Sequence, residues 1–190
     1  MRTIEILTLL GSPRLNGATK AQLDLPKFVK EFTKVNKGEA IALDFKGIEQ
    51  VSASYWNVVV PAVYSFAADE EQEVFPIICN VEENSLEDLK IALKNRGIAV
   101  LLAKKKAEFL SDLELIGQID DTHKEAFNLV NSYREISAGD LASQNEDKAG
   151  SIGLSGWNNR LATLYRMRLI RRVKQGRSFK YKPVVEVKNG

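Results

Sequence analysis

The chain has one cysteine and one histidine in 190 residues. A single cysteine permits no disulfide framework and no thiolate metal cluster. Cys79 sits in the apolar run Phe75–Cys79, where a buried, unreactive thiol is expected. A single histidine excludes multi-histidine metal sites, and any histidine-dependent triad would need His123 itself. That residue falls beside Asp120 and Asp121 in an expected linking helix, where a solvent-facing position is expected. No window approaches the roughly 18 continuous apolar residues of a membrane span, so no membrane partner is expected. The N-terminus, MRTIEILTLLG, alternates apolar with polar residues and lacks a small-residue cleavage site, so it reads as a strand and not as a signal peptide. These scarcities fit a reducing cytoplasm. Nucleophile elbows, Walker loops and metal-ligand spacings are missing too, so neither catalysis nor a cofactor is expected.

What is present is ordinary globular material: 44% hydrophobic and 27% charged residues, enough for one medium domain or two small ones. The charge is unevenly placed. From Ser151 to Gly190 there are ten Lys and Arg against one acid, Glu186, a net +9. The whole chain is +2, so residues 1–150 carry −7. A basic end of this kind seeks a polyanion.

In chain order, Thr3–Leu10 reads as a strand, followed by turn signals at Gly11–Arg14 and Asn16–Gly17. Asp24 is placed to cap a helix from Leu25 to Val35 with Pro26 in its first turn. Strands are expected over Glu39–Phe45, Val74–Val81 and Ile98–Ala103. A buried helix is expected over Ser54–Ala68, with Pro61 as a kink or start, and a further helix from about Ser85 to Arg96, with Gly97 as the stop. Apolar strands alternating with such helices predict an α/β domain, a sheet with covering helices, over residues 1–112. Residues 104–120, opening on Lys104-Lys105-Lys106, read as the join. A second domain then spans 113–190. It has a helix from Asp121 to about Tyr133, then Ser137 as N-cap with Asp140 as its N3 acid, then a loop over Asn145–Gly153. Ser155 is expected to cap the last helix.

On a helical wheel Trp157, Leu161, Leu164 and Tyr165 share one side. Ser155, Asn159, Thr163 and Arg166 lie opposite, with Asn158 and Arg160 on the flanks. Amides and arginine can read base edges in the major groove. Beyond the helix, Arg172, Lys174, Arg177, Lys180 and Lys182 cluster about Gln175-Gly176 and suit phosphate contacts, and Arg171 is a further DNA-binding candidate. The phrase NRLATLYRMRLIRRVKQGRSFKYKP, taken with Ile136–Gln144 as a support helix, resembles a winged helix-turn-helix domain: helix, strand, glycine turn and strand arrive in order. It departs at Arg168, where such domains often carry glycine, and in the length of the loop before Leu154.

The segment Ile41–Ser54, a strand ending LDF-x-G followed by V-S-x-S at a helix start, is similar to STAS-like domains, the fold of anti-sigma-factor antagonists. Matched to their phosphorylatable Asp-Ser-Ser-Gly turn, this chain has Ser52, Ala53, Ser54 and Tyr55, so the acceptor serine is missing. Ser52 and Ser54 are then candidates for a regulatory turn, with helix capping as the plainer reading. Gly11–Thr19 also looks like the phosphate loop of flavodoxin-like flavin proteins, in which Ser12, Arg14 and Thr19 would cradle an FMN phosphate. No Gly- or aromatic-rich loop follows Phe45 or Val81 to hold the flavin ring, so this is the lesser reading. The resemblances together imply a cytoplasmic, DNA-binding transcriptional regulator, a homodimer on double-stranded DNA. In that reading the STAS-like domain is also a candidate site for a protein partner. The alternative is a non-enzymatic signalling module whose winged helix binds a protein partner.

Overall fold

Short apolar strands separated by helices line up in the order in which the chain makes them. The computed structural model describes residues 1–69, 71–107, 109–145 and 152–186. The chain divides into two units, Met1–Ile119 and Asp120–Glu186. The first contains a five-stranded sheet in the order β1 (Arg2–Glu5), β3 (Ala40–Asp44), β5 (Phe75–Cys79), β6 (Ala99–Lys106), β7 (Phe109–Gly117). The first four pair in parallel and β7 runs antiparallel at the edge. A separate parallel ladder joins β2 (Arg14–Leu15) to β4 (Gln50–Val51). The expected mixed sheet with covering helices is therefore what forms.

Its helices are α1 (Ile6–Leu10), α2 (Ala18–Phe32), α3 (Ala53–Ala68) and α4 (Glu83–Arg96). Right-handed crossovers between strands in sequential order put α2, α3 and α4 on one face of the sheet, and α3 packs against both of the others. Phe28, Phe32, Phe45, Tyr55 and Trp56 are buried there to within 1% exposure. Two polar ties cross this core. Tyr55 donates its hydroxyl to Asp24 at 3.0 Å, and Trp56 donates its indole N–H to the Ser85 carbonyl at 3.1 Å. Burial, then the Asp24 carboxylate, raises the Tyr55 pKa far above that of a free tyrosine. Burial likewise pushes the Cys79 thiol up to about 12, in keeping with an unreactive core cysteine.

Local signals misplace several boundaries. The N-terminal strand stops at Glu5, and Ile6–Leu10 turn into a helix ended by Gly11 at φ +67. Pro26 does not start a helix; α2 runs through it from Gly17. Asp24 is accordingly no cap. It is buried, accepts from Tyr55 and pairs with Lys20 at 3.1 Å. The join expected over 104–120 is mostly strand: β7 pairs with β6 through a register slip beside Asp112, whose φ is +52. The boundary expected after residue 112 thus falls inside β7, and the units part at Ile119.

The second unit contains α5 (Asp121–Tyr133), β8 (Ile136–Ser137), α6 (Ala138–Gln144), α7 (Leu154–Arg166), β9 (Ile170–Gln175) and β10 (Ser178–Pro183). Its three strands are antiparallel in the order β8-β10-β9. Phe127, Val130, Ile136, Leu141, Trp157, Leu161, Leu164 and Ile170 are buried. Ser137 and Asp140 form the expected capping box. Among the described residues no helix is long and apolar enough to cross a membrane. Most of the expected loop over Asn145–Gly153 lies outside the described residues, as does Lys188.

The unit boundary also redraws the charge map. Residues 120–186 hold twelve Lys and Arg against eight acids, net +4, and residues 1–119 hold fourteen against seventeen, net −3. The steep contrast seen from Ser151 onward is softened by the acids of α5, α6 and the sequence between α6 and α7.

Candidate nucleic-acid interface

The basic surface is built from the exposed side of α7 and the hairpin that follows it. Trp157, Leu161 and Leu164 turn one side of α7 into the core, with Tyr165 half-buried at its end. This leaves Ser155, Asn158, Asn159 and Arg166 exposed and Thr163 half-exposed. Arg166 donates to Thr163 Oγ1 at 3.2 Å, which holds its guanidinium along that side. Ser155 is not the cap expected of it. Gly153 occupies the N-cap position, and Ser155 stands exposed in the first turn.

The helix ends where the sequence departs from the glycine habit. Arg168 adopts φ +61. Its N–H bonds the Tyr165 carbonyl at 2.9 Å, and the Leu169 N–H bonds the Leu164 carbonyl at 3.0 Å. These two bonds form a Schellman ending, with Leu169 and Leu164 both at 0% exposure as its hydrophobic contact. An arginine in this left-handed position carries about 1 kcal/mol of strain that glycine would not. Its guanidinium lies 5.1 Å from the centre of the Tyr165 ring.

The hairpin turns on Gly176-Arg177, a two-residue loop with Gly176 at φ +60. That conformation suits the primed turn with glycine first. The pleat then sorts the basic residues onto two faces. Register places Lys174 opposite Phe179 and Arg172 opposite Tyr181, on the face that Ile170 and Pro183 carry into the core. Arg171 lies opposite Lys182 and Val173 opposite Lys180, on the other face.

Two of the expected phosphate contacts are engaged within the unit: Lys180 reaches Asp140 at 2.7 Å and Lys182 reaches Glu135 at 2.5 Å. Arg160, on the flank of the helix, lies 3.7 Å from Glu125 and 5.2 Å from the Trp157 ring centre. The Arg172 guanidinium lies over two rings, 4.1 Å from the centre of Tyr165 and 4.3 Å from that of Phe179. Lys174 and Arg177 are exposed at the hairpin tip. The single cluster read from the sequence is therefore a tip, a stacked arginine and a set of ion pairs. Sequence reading also missed the acids that neutralise it, which come from α5, α6 and the segments beside them.

The turn in the first unit that carries Ser52 and Ser54 is a cap and a staple. Ser52 Oγ accepts from the Tyr55 N–H at 3.3 Å and from the Gly17 N–H at 3.1 Å. It lies 3.0 Å from Ser54 Oγ. The Gly11–Thr19 loop is held to this turn and to β4, and Arg14 pairs with Glu49 at 3.0 Å. The opening beside it at the carboxyl ends of β3 and β5, about 680 Å³, is lined by Glu49, Glu82, Glu83 and Glu87, which disfavour an anionic phosphate. The sheet order has no reversal, unlike the flavodoxin-like order whose switch point holds a flavin. His123 is half-buried, its Nδ1 2.6 Å from Asp120 Oδ2. Asp120 caps α5, and hydrogen bonds from Thr122 and His123 hold its carboxyl well below the usual range.

No protein-family model, curated protein or solved structure matches the chain.

Proposed function

We propose that residues 120–186 are a winged helix-turn-helix unit that binds duplex DNA, and that residues 1–119 are a STAS-like unit that controls it in a non-enzymatic, cytoplasmic regulator. The observation that carries this reading is the exposed side of α7. It offers Asn158, Asn159, Thr163 and Arg166, followed in the chain by a hairpin whose exposed tip bears Lys174 and Arg177. Amides and a guanidinium suit base edges, and the two tip cations suit phosphates. The strand order β8-β10-β9 beside three helices agrees with a winged helix. A homodimer would set two α7 helices on half-sites about one turn of DNA apart. The test is binding of the full chain to mixed-sequence duplex at low ionic strength: measurable affinity that falls steeply with salt supports the reading. Absence of binding to any duplex removes it.

A second reading rests on Leu154 at the start of α7 and Val173 on β9, which are 53% and 48% exposed. Apolar side chains at such positions suit a protein partner. Binding that ignores salt but is lost on Val173→Glu would favour it.

A further inference from the structure

Arg172 stands out among the cations of the hairpin because its half-buried guanidinium lies over two aromatic rings. It stacks 4.1 Å from the Tyr165 ring centre and 4.3 Å from that of Phe179. Burial raises the pKa of the Tyr181 hydroxyl, and the Arg172 charge nearby opposes that rise. These three partners lie on α7 and β10, and Arg172 itself lies on β9. Register explains the meeting: Tyr181 sits directly across from Arg172, and Phe179 is one pair nearer the tip on the same face. The Tyr165 ring also receives Arg168, the residue that ends α7 in the left-handed turn.

We infer that Arg172 is a positioning residue: its guanidinium, held over the rings of both Tyr165 and Phe179, locks the β9–β10 hairpin to the C-terminal end of α7, and so sets where Lys174 and Arg177 stand relative to the base-facing side of that helix. A guanidinium is the side chain for this task. It is planar, delocalised and weakly hydrated, so it packs over aromatic faces in a way that a compact, strongly hydrated ammonium does not. The inference deepens the DNA-binding reading and rests on it for its functional consequence. It also changes the role of one residue, since a guanidinium used as a stacked lock is not one used as a phosphate hand.

The experiment compares Arg172→Lys, Arg172→Gln and Phe179→Leu in the full chain, by anisotropy on a mixed-sequence duplex over a salt series and by hydrogen exchange of the hairpin amides without DNA. A lock predicts that Lys fails as Gln does, each weakening binding by roughly three- to tenfold with the wild-type salt slope, and that exchange in β9 and β10 quickens. Combined with Phe179→Leu, Arg172→Gln should weaken binding by less than the product of the two single effects. A phosphate contact predicts instead that Lys binds as wild type and that Gln lowers the salt slope by about 0.9, with exchange unchanged; that result overturns the inference. If the Arg172 variants unfold, Phe179→Leu alone carries the exchange test, and unchanged hairpin protection in it overturns the lock. Failure of the wild-type chain to bind any duplex removes the DNA reading, and the exchange data still decide the lock.

Discussion

Lys180 Nζ lies 2.7 Å from Oδ2 of Asp140, and the same oxygen accepts the Ser137 N–H at 2.9 Å. One carboxylate thus closes the capping box of α6 and ties β10 to it. Asp140→Ala should destabilise the second unit by about 1–2 kcal/mol, through the lost box and the lost pairing. Urea unfolding read at Trp157 in a Trp56→Phe background reports on that unit. A loss below about 0.3 kcal/mol would show that the tie is idle.

The same carboxylate makes stability depend on acid. Hydrogen bonds from Lys180 and then Ser137 hold its pKa down to about 2, from an ordinary 3.8. A depressed carboxyl contributes stability that is complete above its unfolded pKa and lost as pH falls through its folded one. The stability gap between wild type and Asp140→Ala should therefore narrow between pH 4 and pH 2 and stay flat from pH 5 to pH 7. A gap that keeps its full size at pH 2 speaks against the assigned pairing.

Ser52 makes two backbone contacts where Ser54 reaches only the Ser52 hydroxyl. Ser52→Ala should cost about 1–2 kcal/mol in the first unit, and Ser54→Ala less than about 0.5. Trp56 fluorescence in a Trp157→Phe background follows the transition. Equal costs at both positions would contradict the capping role.

Lys174 and Arg177 stand at the exposed hairpin tip. Changing each to glutamine should weaken duplex binding alike for all sequences and lower the salt slope by about 0.9 per residue. An unchanged slope in the double variant excludes the tip from phosphate contact.

Asn159 lies in the middle of the exposed side of α7. Asn159→Ala should leave the salt slope intact and cost about 1–3 kcal/mol on duplexes selected by the wild type, with less effect on random ones. Selection from a random pool measures this directly, and an identical preferred sequence for both proteins would falsify the base-reading role.

What was legible in the sequence was local. Gly97 at φ +64 ends α4, Ser137 and Asp140 start α6, and Gly176 turns the hairpin. Each acts on a few neighbouring residues, so a short window holds the whole signal. The polar side of α7 was legible for the same reason, since a 3.6-residue period needs no partner to be counted.

The remainder was decided between residues far apart in the chain. Strand β7 alternates weakly, and its pairing with β6 marks it as sheet where a join was expected. Strand β8 is two residues long and is defined by its ladder with β10. Asp24 looked like a cap until a hydroxyl thirty-one residues away claimed it. The cations of the last forty residues likewise looked alike in sequence. Tertiary structure divided them by bringing Asp140 and Glu135 to Lys180 and Lys182 and two rings to Arg172. By itself, the sequence determined that this protein has a basic helix-and-hairpin end, because charge, period and turn chemistry are properties of neighbouring residues. Only the tertiary structure decided which of those charges face solvent, because an ion pair or a stack depends on what the fold places opposite.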